Sequence, residues 1–338
     1  MRFAQTSLWK VGRRLEIGRY LAEGGPDVKD ISSTSIGYVI GVLLSGLLSL
    51  YGLAFWSSRV QKIMQPATNI AAQEKQKRDW PDRAGVRVLI TEMDGSMLPV
   101  VEVAEPVAGA ASMDRRKTRQ VSWKEARLAL AHEPGSVTPI FGATLGSVEQ
   151  AGERLAVCAL EAGAGSRTRI HGVGDGGVWI TEQMKAQFGS QVQYLVDFYH
   201  LCDYLSAAGD GIAGNDKPAW MEEKKDWLKD NRWKEVLEAL RPFVEPAHLP
   251  DPEAPVRACF RYISNHSNFL DYKGALAAGL PIGSGEIESG HRYVFQNRLK
   301  ISGAWWKMEN LRKMIALPVL RANRGWEDYW SNVHQQAA

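Results

Sequence analysis

Along this chain of 338 residues the hydrophobic positions change rhythm twice. Over residues 1–80, Leu8, Val11, Leu15, Ile17 and Leu21 recur through a charged stretch at helical spacing, which predicts a helical N-terminal region. Inside it, 31–58 carries no charge, and Ile36 to Trp56 is apolar and long enough to cross a bilayer, with Arg59 and Lys62 following. Ser45, Ser49 and the glycines at 37, 41, 46 and 52 interrupt that surface. A break at Gly52 and a second helix through Arg59 to Met64 make a buried helix-turn-helix the favoured reading over a membrane segment. The polar run 71–85, with Pro81 and Gly85, reads as a linker.

Beyond it the period shortens to that of strands. Val86, Val88, Leu89 and Ile90 predict a strand that closes at a Glu92-Met93-Asp94-Gly95 turn, and 98–103 predicts a second. Two more are expected at 123–132 and 137–144 around a Glu133-Pro134-Gly135 turn, with a basic loop over 113–120. Helical spacing follows at 148–162, a strand at 167–173 runs into Gly174-Asp175-Gly176-Gly177, and 179–188 predicts a helix. A strand at 193–198 leads into a helix from His200. This order predicts an α/β sheet with helices packed on it. After Asp210 the texture becomes helical and Trp-rich (Trp220, Trp227, Trp233) to about residue 278, broken by the proline-rich 245–255.

A net charge of +3 is too small to signal nucleic-acid binding by itself, so any basic surface must be local. Two places qualify: Arg115, Arg116, Lys117 and Arg119, and the run from Arg292 through Arg298 to Lys300. Three cysteines without CxxC spacing argue against a disulfide framework and a zinc site and fit a reducing cytoplasm. Arg2, Lys10, Arg13 and Arg14 are not followed directly by an apolar run of the signal-peptide kind.

The acids carry the chemistry. Asp94 and Asp175 each close a predicted strand and precede a glycine, and Glu288 opens the basic run in GSGEIESGHRYVFQNRLKISGAWW (283–306). Singly, Asp-Gly is a turn signal. Together, three carboxylates at sheet and helix ends are what two magnesium ions need, with positions left for water and phosphate. Glu286 competes with Glu288 for the third place.

In its order DG, GDGGVWI, DFYH and GSGEIES-x8-RLKISGAWW, the chain resembles the Mutator-like DDE transposases of bacterial insertion sequences, the ISKra-type group in particular, over roughly 86–332. The resemblance implies an RNase H-like mixed sheet with flanking helices. Its first part would be 86–205 and its last part 279–338, with an all-helical insertion at 206–278 between them. It further implies a triad of Asp94, Asp175 and Glu288 holding two Mg2+ or Mn2+ ions. Asp197 and His200 would act nearby, with His200 and His291 either touching the scissile phosphate or orienting a carboxylate, or else merely satisfied by a backbone carbonyl. The partners implied are double-stranded DNA and further copies of the chain, in the cytoplasm at the nucleoid. Arg292, Arg298, Lys300, Arg115, Arg116 and Lys117 are the expected phosphate contacts. The tryptophans at 305 and 306, like those of the insertion, are expected to pack in preference to stacking on bases. Family members usually carry more sequence ahead of the catalytic domain, so an N-terminally shortened copy is expected. A nuclease of the same fold, or a non-cutting end-binding protein, are the alternatives.

Overall fold

The computed structural model describes residues 83–103 and 119–337. The expectations for 1–80, including the uncharged 31–58 segment, and for Arg115, Arg116 and Lys117, lie outside the described residues. Among the described residues no helix is long and apolar enough to cross a membrane.

Alternating burial builds a five-stranded mixed sheet in the order β3-β2-β1-β4-β5. Strand β1 (Val88–Val103) pairs antiparallel with β2 (Arg119–His132), which pairs antiparallel with β3 (Ile140–Thr144). On the other side β1 pairs parallel with β4 (Arg169–Gly174), and β4 with β5 (Val192–Val196). Helices α1 (Val148–Glu161), α2 (Val178–Phe188) and α3 (Phe198–Ile212) connect and follow the later strands. The sequence therefore predicts most elements well, and α1 is fixed at its start by a capping box between Ser147 and Gln150.

One expectation fails. The chain does not turn at Asp94-Gly95, because β1 is a single strand through it: Asp94 pairs with Leu128 and Gly95 with Arg127 in an unbroken ladder. The Asp94 carboxylate accepts its neighbour Gly95 N–H at 2.7 Å, a local bond of the kind that marks turns in sequence. Here the long partner strand β2 supplies backbone pairing on both sides of the dipeptide and overrides that preference. Strand β2 also starts earlier than expected, taking Arg119 into the sheet opposite Val103.

Successive β1 residues face opposite sides. Leu89 and Met93 join Ile170, Leu155, Ile180 and Met184 in the core under α1 and α2. Leu98 and Val100, with Ala126, Leu128 and Phe141, face the C-terminal helices through Ile287, Phe295, Leu299 and Leu311. Each such aliphatic or aromatic side chain contributes roughly 1.5–3 kcal/mol by leaving water. Glu92 and Asp94 have the same parity as Leu98 and therefore share the second face.

Between α3 and the last part of the chain lie α4 (Lys217–Lys229), α5 (Trp233–Leu240), α6 (Pro255–Asn265) and α7 (Tyr272–Ala277). Trp220, Trp227 and Trp233 are half-buried against the core that includes Leu205, Leu228, Val236 and Cys259. They pack, but not on one helical face: Trp220 and Trp227 lie on α4, whereas Trp233 opens α5. The chain then returns across the sheet as α8 (Gly285–Gly290), which continues as a π-helix (His291–Gln296) and a last α-turn (Asn297–Leu299). Helices α9 (Met308–Ala322) and α10 (Trp326–Ala337) complete it. Asn323 at the end of α9 both donates to and accepts from the backbone of Phe141, at 2.8 Å each way, pairing the otherwise open edge of β3.

Candidate active site

Register relates two of the expected acids. The β1–β4 ladder matches Ile90 with His171 and Glu92 with Val173; Asp94 follows that last pair by two residues along β1, and Asp175 by two residues just past the end of β4. The Asp94 side chain is 30% exposed and Asp175 is exposed, so both open to solvent from the sheet centre.

How α8 lies on the sheet separates the surroundings of Glu286 from those of Glu288. Buried along α8 and its π-helical continuation are Ile287, Gly290, His291 and Val294. At Gly290 an added Cβ would lie 2.8 Å from Phe141 and 3.0 Å from Leu128, so this side of the helix rests on β3 and β2. On the other side His291 Nε2 lies 3.0 Å from Asp94 Oδ2. At helical spacing Glu286 sits one turn before Gly290, and Glu288 one turn before His291. Glu286 accordingly lies 3.0 Å from His132 Nε2, on β2. Glu288 is exposed.

Neither of these histidine contacts has the alignment of a hydrogen bond, and both ring nitrogens of the buried His291 lack a hydrogen-bond partner. An unsatisfied imidazole beside a carboxylate at the mouth of the site suits a centre that gains a ligand on binding. Hard carboxylate oxygens at Asp94, Asp175 and Glu288 fit magnesium or manganese. Asp94 and Asp175 accept the nearby Gly95 and Gly177 N–H groups, and among the described residues no three His, Cys, Asp or Glu side chains converge closely enough to hold an ion.

Glu92, which sequence reading overlooked, lies beneath them and is 1% exposed. Burial pushes its carboxyl up to about 8; the Ile287 N–H, donating to it at 2.7 Å, opposes this, and the nearby Glu286, Asp197 and Glu288 add to it. Glu92 thus holds a proton at neutral pH. Because the folded state binds that proton more tightly than the unfolded chain, its contribution to stability is full below pH 4.5 and is lost as pH rises towards 8. His171 works in the opposite sense: burial lowers its pKa below 6.5, so its contribution is present above 6.5 and lost as pH falls. Between pH 6.5 and 8.5 the metal-free protein should lose about 2 kcal/mol, and Glu92→Gln, which keeps an acceptor for Ile287, should flatten that limb. Urea unfolding at the two pH values measures both.

Asp197 has a different place from the one the resemblance implies. It is the N-cap of α3, with one oxygen accepting Tyr199 N–H at 2.6 Å and His200 N–H at 3.0 Å. The other oxygen accepts the Ser284 N–H at 2.7 Å and the Ser284 hydroxyl. His171 Nε2 bonds the Pro281 carbonyl at 2.8 Å, and Phe198 N–H donates to Ile282 at 2.8 Å. Together with Glu92, these bonds fasten 281–287, and so the start of the Glu288 helix, to β1, β4 and the residues just past the end of β5. His200 is half-buried, with its ring 5.5 Å from Tyr204 and 5.8 Å from Tyr262. The histidine against a candidate acid is His291.

Helix α6 secures the second acid. Tyr262 Oη donates to the Asp175 carbonyl at 2.7 Å, and His266 Nε2 bonds the Gly176 carbonyl at 2.9 Å. Gly176 N–H donates to Tyr194 Oη at 3.0 Å. Gly176 itself has φ +85, and a Cβ there would lie 2.8 Å from His266 Nε2. Gly176→Ala should therefore displace Asp175 and cost about 1–3 kcal/mol, read as a lower melting temperature.

The charge of the molecule is divided. Between α3 and α8, cations are neutralised locally: Lys225 with Glu222 at 2.9 Å, Arg232 with Glu235 at 3.1 Å, Arg241 with Glu238 at 2.8 Å, Arg261 with Asp251 at 2.9 Å. From His291 to Gly325 the chain carries eight Lys or Arg against one acid, Glu309. None of those eight forms an ion pair among the described residues, and Lys300 donates to Ser96 Oγ at 2.8 Å. Arg292, Arg298 and Lys300 are exposed. The tryptophan pair splits: Trp306 packs and bonds the Leu299 carbonyl at 3.1 Å, while Trp305 is exposed beneath the Arg119 guanidinium, 3.3 Å from its ring centre.

No protein-family model matches this chain, and no curated protein does.

Proposed function

We propose that this chain is a DDE-type DNA transposase of an insertion sequence, cutting transposon 3′ ends and joining them to target DNA. The observation that carries the reading is the placement of Asp94 on β1 and of Asp175 just past the end of the adjacent parallel strand β4, each two residues beyond the last β1–β4 pair, with the exposed Glu288 on the overlying helix one turn before His291. A sheet of three antiparallel strands extended by two parallel ones, with the first acid on the central strand, supports an RNase H-like catalytic domain. The helices between β5 and α8 support the reading of an insertion.

Asp94, Asp175 and Glu288 would hold two magnesium or manganese ions, which when bound supply positive charge to both the attacking and the leaving oxygen at phosphorus. His291 orients Asp94, and protonated Glu92 adds no further negative charge beneath the site. Tyr262, His266 and Tyr194 fix Asp175, and Asp197 fixes the loop before Glu288. The unpaired cations after His291 hold the phosphate backbone. In cutting, a water oxygen bonds to phosphorus and the 3′ oxygen leaves. In joining, that 3′-OH attacks a target phosphorus and displaces the next 3′ oxygen. No covalent enzyme intermediate is needed. Transposon ends come in pairs, so the reading carries with it a homo-oligomer on DNA.

Strand transfer tests it. Labelled duplexes with exposed 3′-OH ends, taken from inverted repeats flanking the gene, should become joined to plasmid DNA. Cutting without joining would leave a nuclease, and binding without either would leave an end-binding protein.

A further inference from the structure

The π-helix arm and helices α9 and α10 enclose a groove of about 690 Å³, away from the acids' own hydrogen-bond partners. Arg298 and Arg321 stand at it, Tyr293 and Trp326 give it flat walls, and Met314 and Leu317 are among its apolar lining. We propose that this groove is a subsite for one unpaired nucleotide of the DNA, with the two guanidiniums on its phosphate and Trp326 against its base. The proposal rests on the DNA-acting reading above and adds to it a preference for unpaired strand.

Charge selects the class of occupant. No acid lines the groove, and neither Arg298 nor Arg321 has a hydrogen-bond or ion-pair partner among the described residues. Arg241 and Arg261, by contrast, are matched by carboxylates, and among the unpaired arginines Arg298 and Arg321 are the two that share one groove with aromatic walls. Two unmatched guanidiniums call for an anion, and guanidinium geometry suits phosphate. The basic segment 115–117 of this same chain is the wrong sign to fill it.

Shape selects the form. The volume falls in the range of about 300–1,000 Å³ typical of sites for single small ligands, so a base and its sugar enter but a duplex does not. The aromatic walls are already held: Tyr293 meets Phe141 edge-on at 5.4 Å, and Trp326 packs on Trp330 at 5.5 Å. Rigid rings of this kind stack on any base, so the preference should be for strandedness and not for sequence. The π-helix contributes by its wider turn, setting Tyr293 and the following Arg298 on the groove while His291 stays on Asp94.

Fluorescence anisotropy of the full chain in EDTA, with blunt duplex and the same duplex bearing a three-nucleotide 3′ tail, tests the proposal. The tailed DNA should bind about tenfold tighter. Trp326→Ala should bring that ratio close to one, and Arg321→Gln should lower it while reducing the salt dependence of tailed-DNA binding. Melting curves of both variants exclude loss of fold, and the arginine variant decides the matter if the tryptophan variant does not fold. Equal affinity for the two DNAs in the wild type, or an unchanged ratio in both variants, would overturn the proposal. So would displacement of the tail by an acidic peptide as readily as by single-stranded DNA. EDTA removes cutting from the readout, so a chain that never cuts can still show the preference, and one that cuts without it refutes the subsite alone.

Discussion

Asp94→Asn, Asp175→Asn and Glu288→Gln should each lower metal-dependent strand cleavage by at least about 10³-fold, while Glu286→Gln should leave most of it. On the proposed reading each of the first three removes a charged ligand of the ions; losing about 4 kcal/mol of transition-state stabilisation corresponds to that factor. The fold should survive. The side-chain carbonyl introduced by Asp94→Asn can still accept the Gly95 N–H, and Asp175 and Glu288 are exposed. Glu286 lies against His132 on the other side of the helix, one strand away from Asp94. Cleavage of labelled duplex, with melting temperatures as control, measures all four. Loss of cutting in the Glu286 variant alone would move the third acid to that position.

The second large effect is on stability. Asp197→Ala should destabilise the protein by about 3 kcal/mol, because it removes an N-cap and leaves the Ser284 N–H without its acceptor in a buried place. Asp197→Asn keeps an acceptor for the helix cap and should lose less. Ser284→Ala should cost about 1 kcal/mol, and the double variant should cost less than the sum, since both act through one contact. The same loop carries Glu288, so cleavage should fall with Asp197→Ala even at temperatures where the protein is folded. Urea unfolding of the two single variants and the double variant gives the coupling directly; additive losses would mean that Asp197 does not hold the loop.

These two predictions rest on features that were unequally legible in the sequence. The alternation in 123–132 and the helical spacing in 148–162 come from side chains facing one core each, and such patterns are local. Asp94-Gly95 misled because its turn chemistry is also local, whereas the pairing with Leu128 and Arg127 that keeps it extended comes from a strand some thirty residues on. Glu92 was in plain view two residues before Asp94, in the alternation that aims at the C-terminal helices; only its burial under Ile287 marks it as special. Asp197 and His200 were identified as a motif, but a motif does not distinguish a carboxylate capping a helix from one facing a ligand. The choice between Glu286 and Glu288 needed the lie of α8, set by Gly290 on Phe141 and by His291 on Asp94. Of the basic residues, the sequence singled out those nearest the acid. The extent of the band to Arg324 shows only in the structure, where, among the described residues, the cations of the helices between α3 and α8 are paired and those after His291 are not.

The central claim is that Asp94, Asp175 and Glu288 form one metal-dependent centre for cutting DNA. Incubating supercoiled plasmid with the wild-type chain in Mg2+, Mn2+, Ca2+ or EDTA, and labelling the product ends, tests it most directly. The account predicts nicks bearing 3′-OH ends in Mg2+ and Mn2+, none in Ca2+ or EDTA, and none with Asp94→Asn in any of them. Nicking that persists in EDTA, or that Asp94→Asn leaves intact, would contradict it.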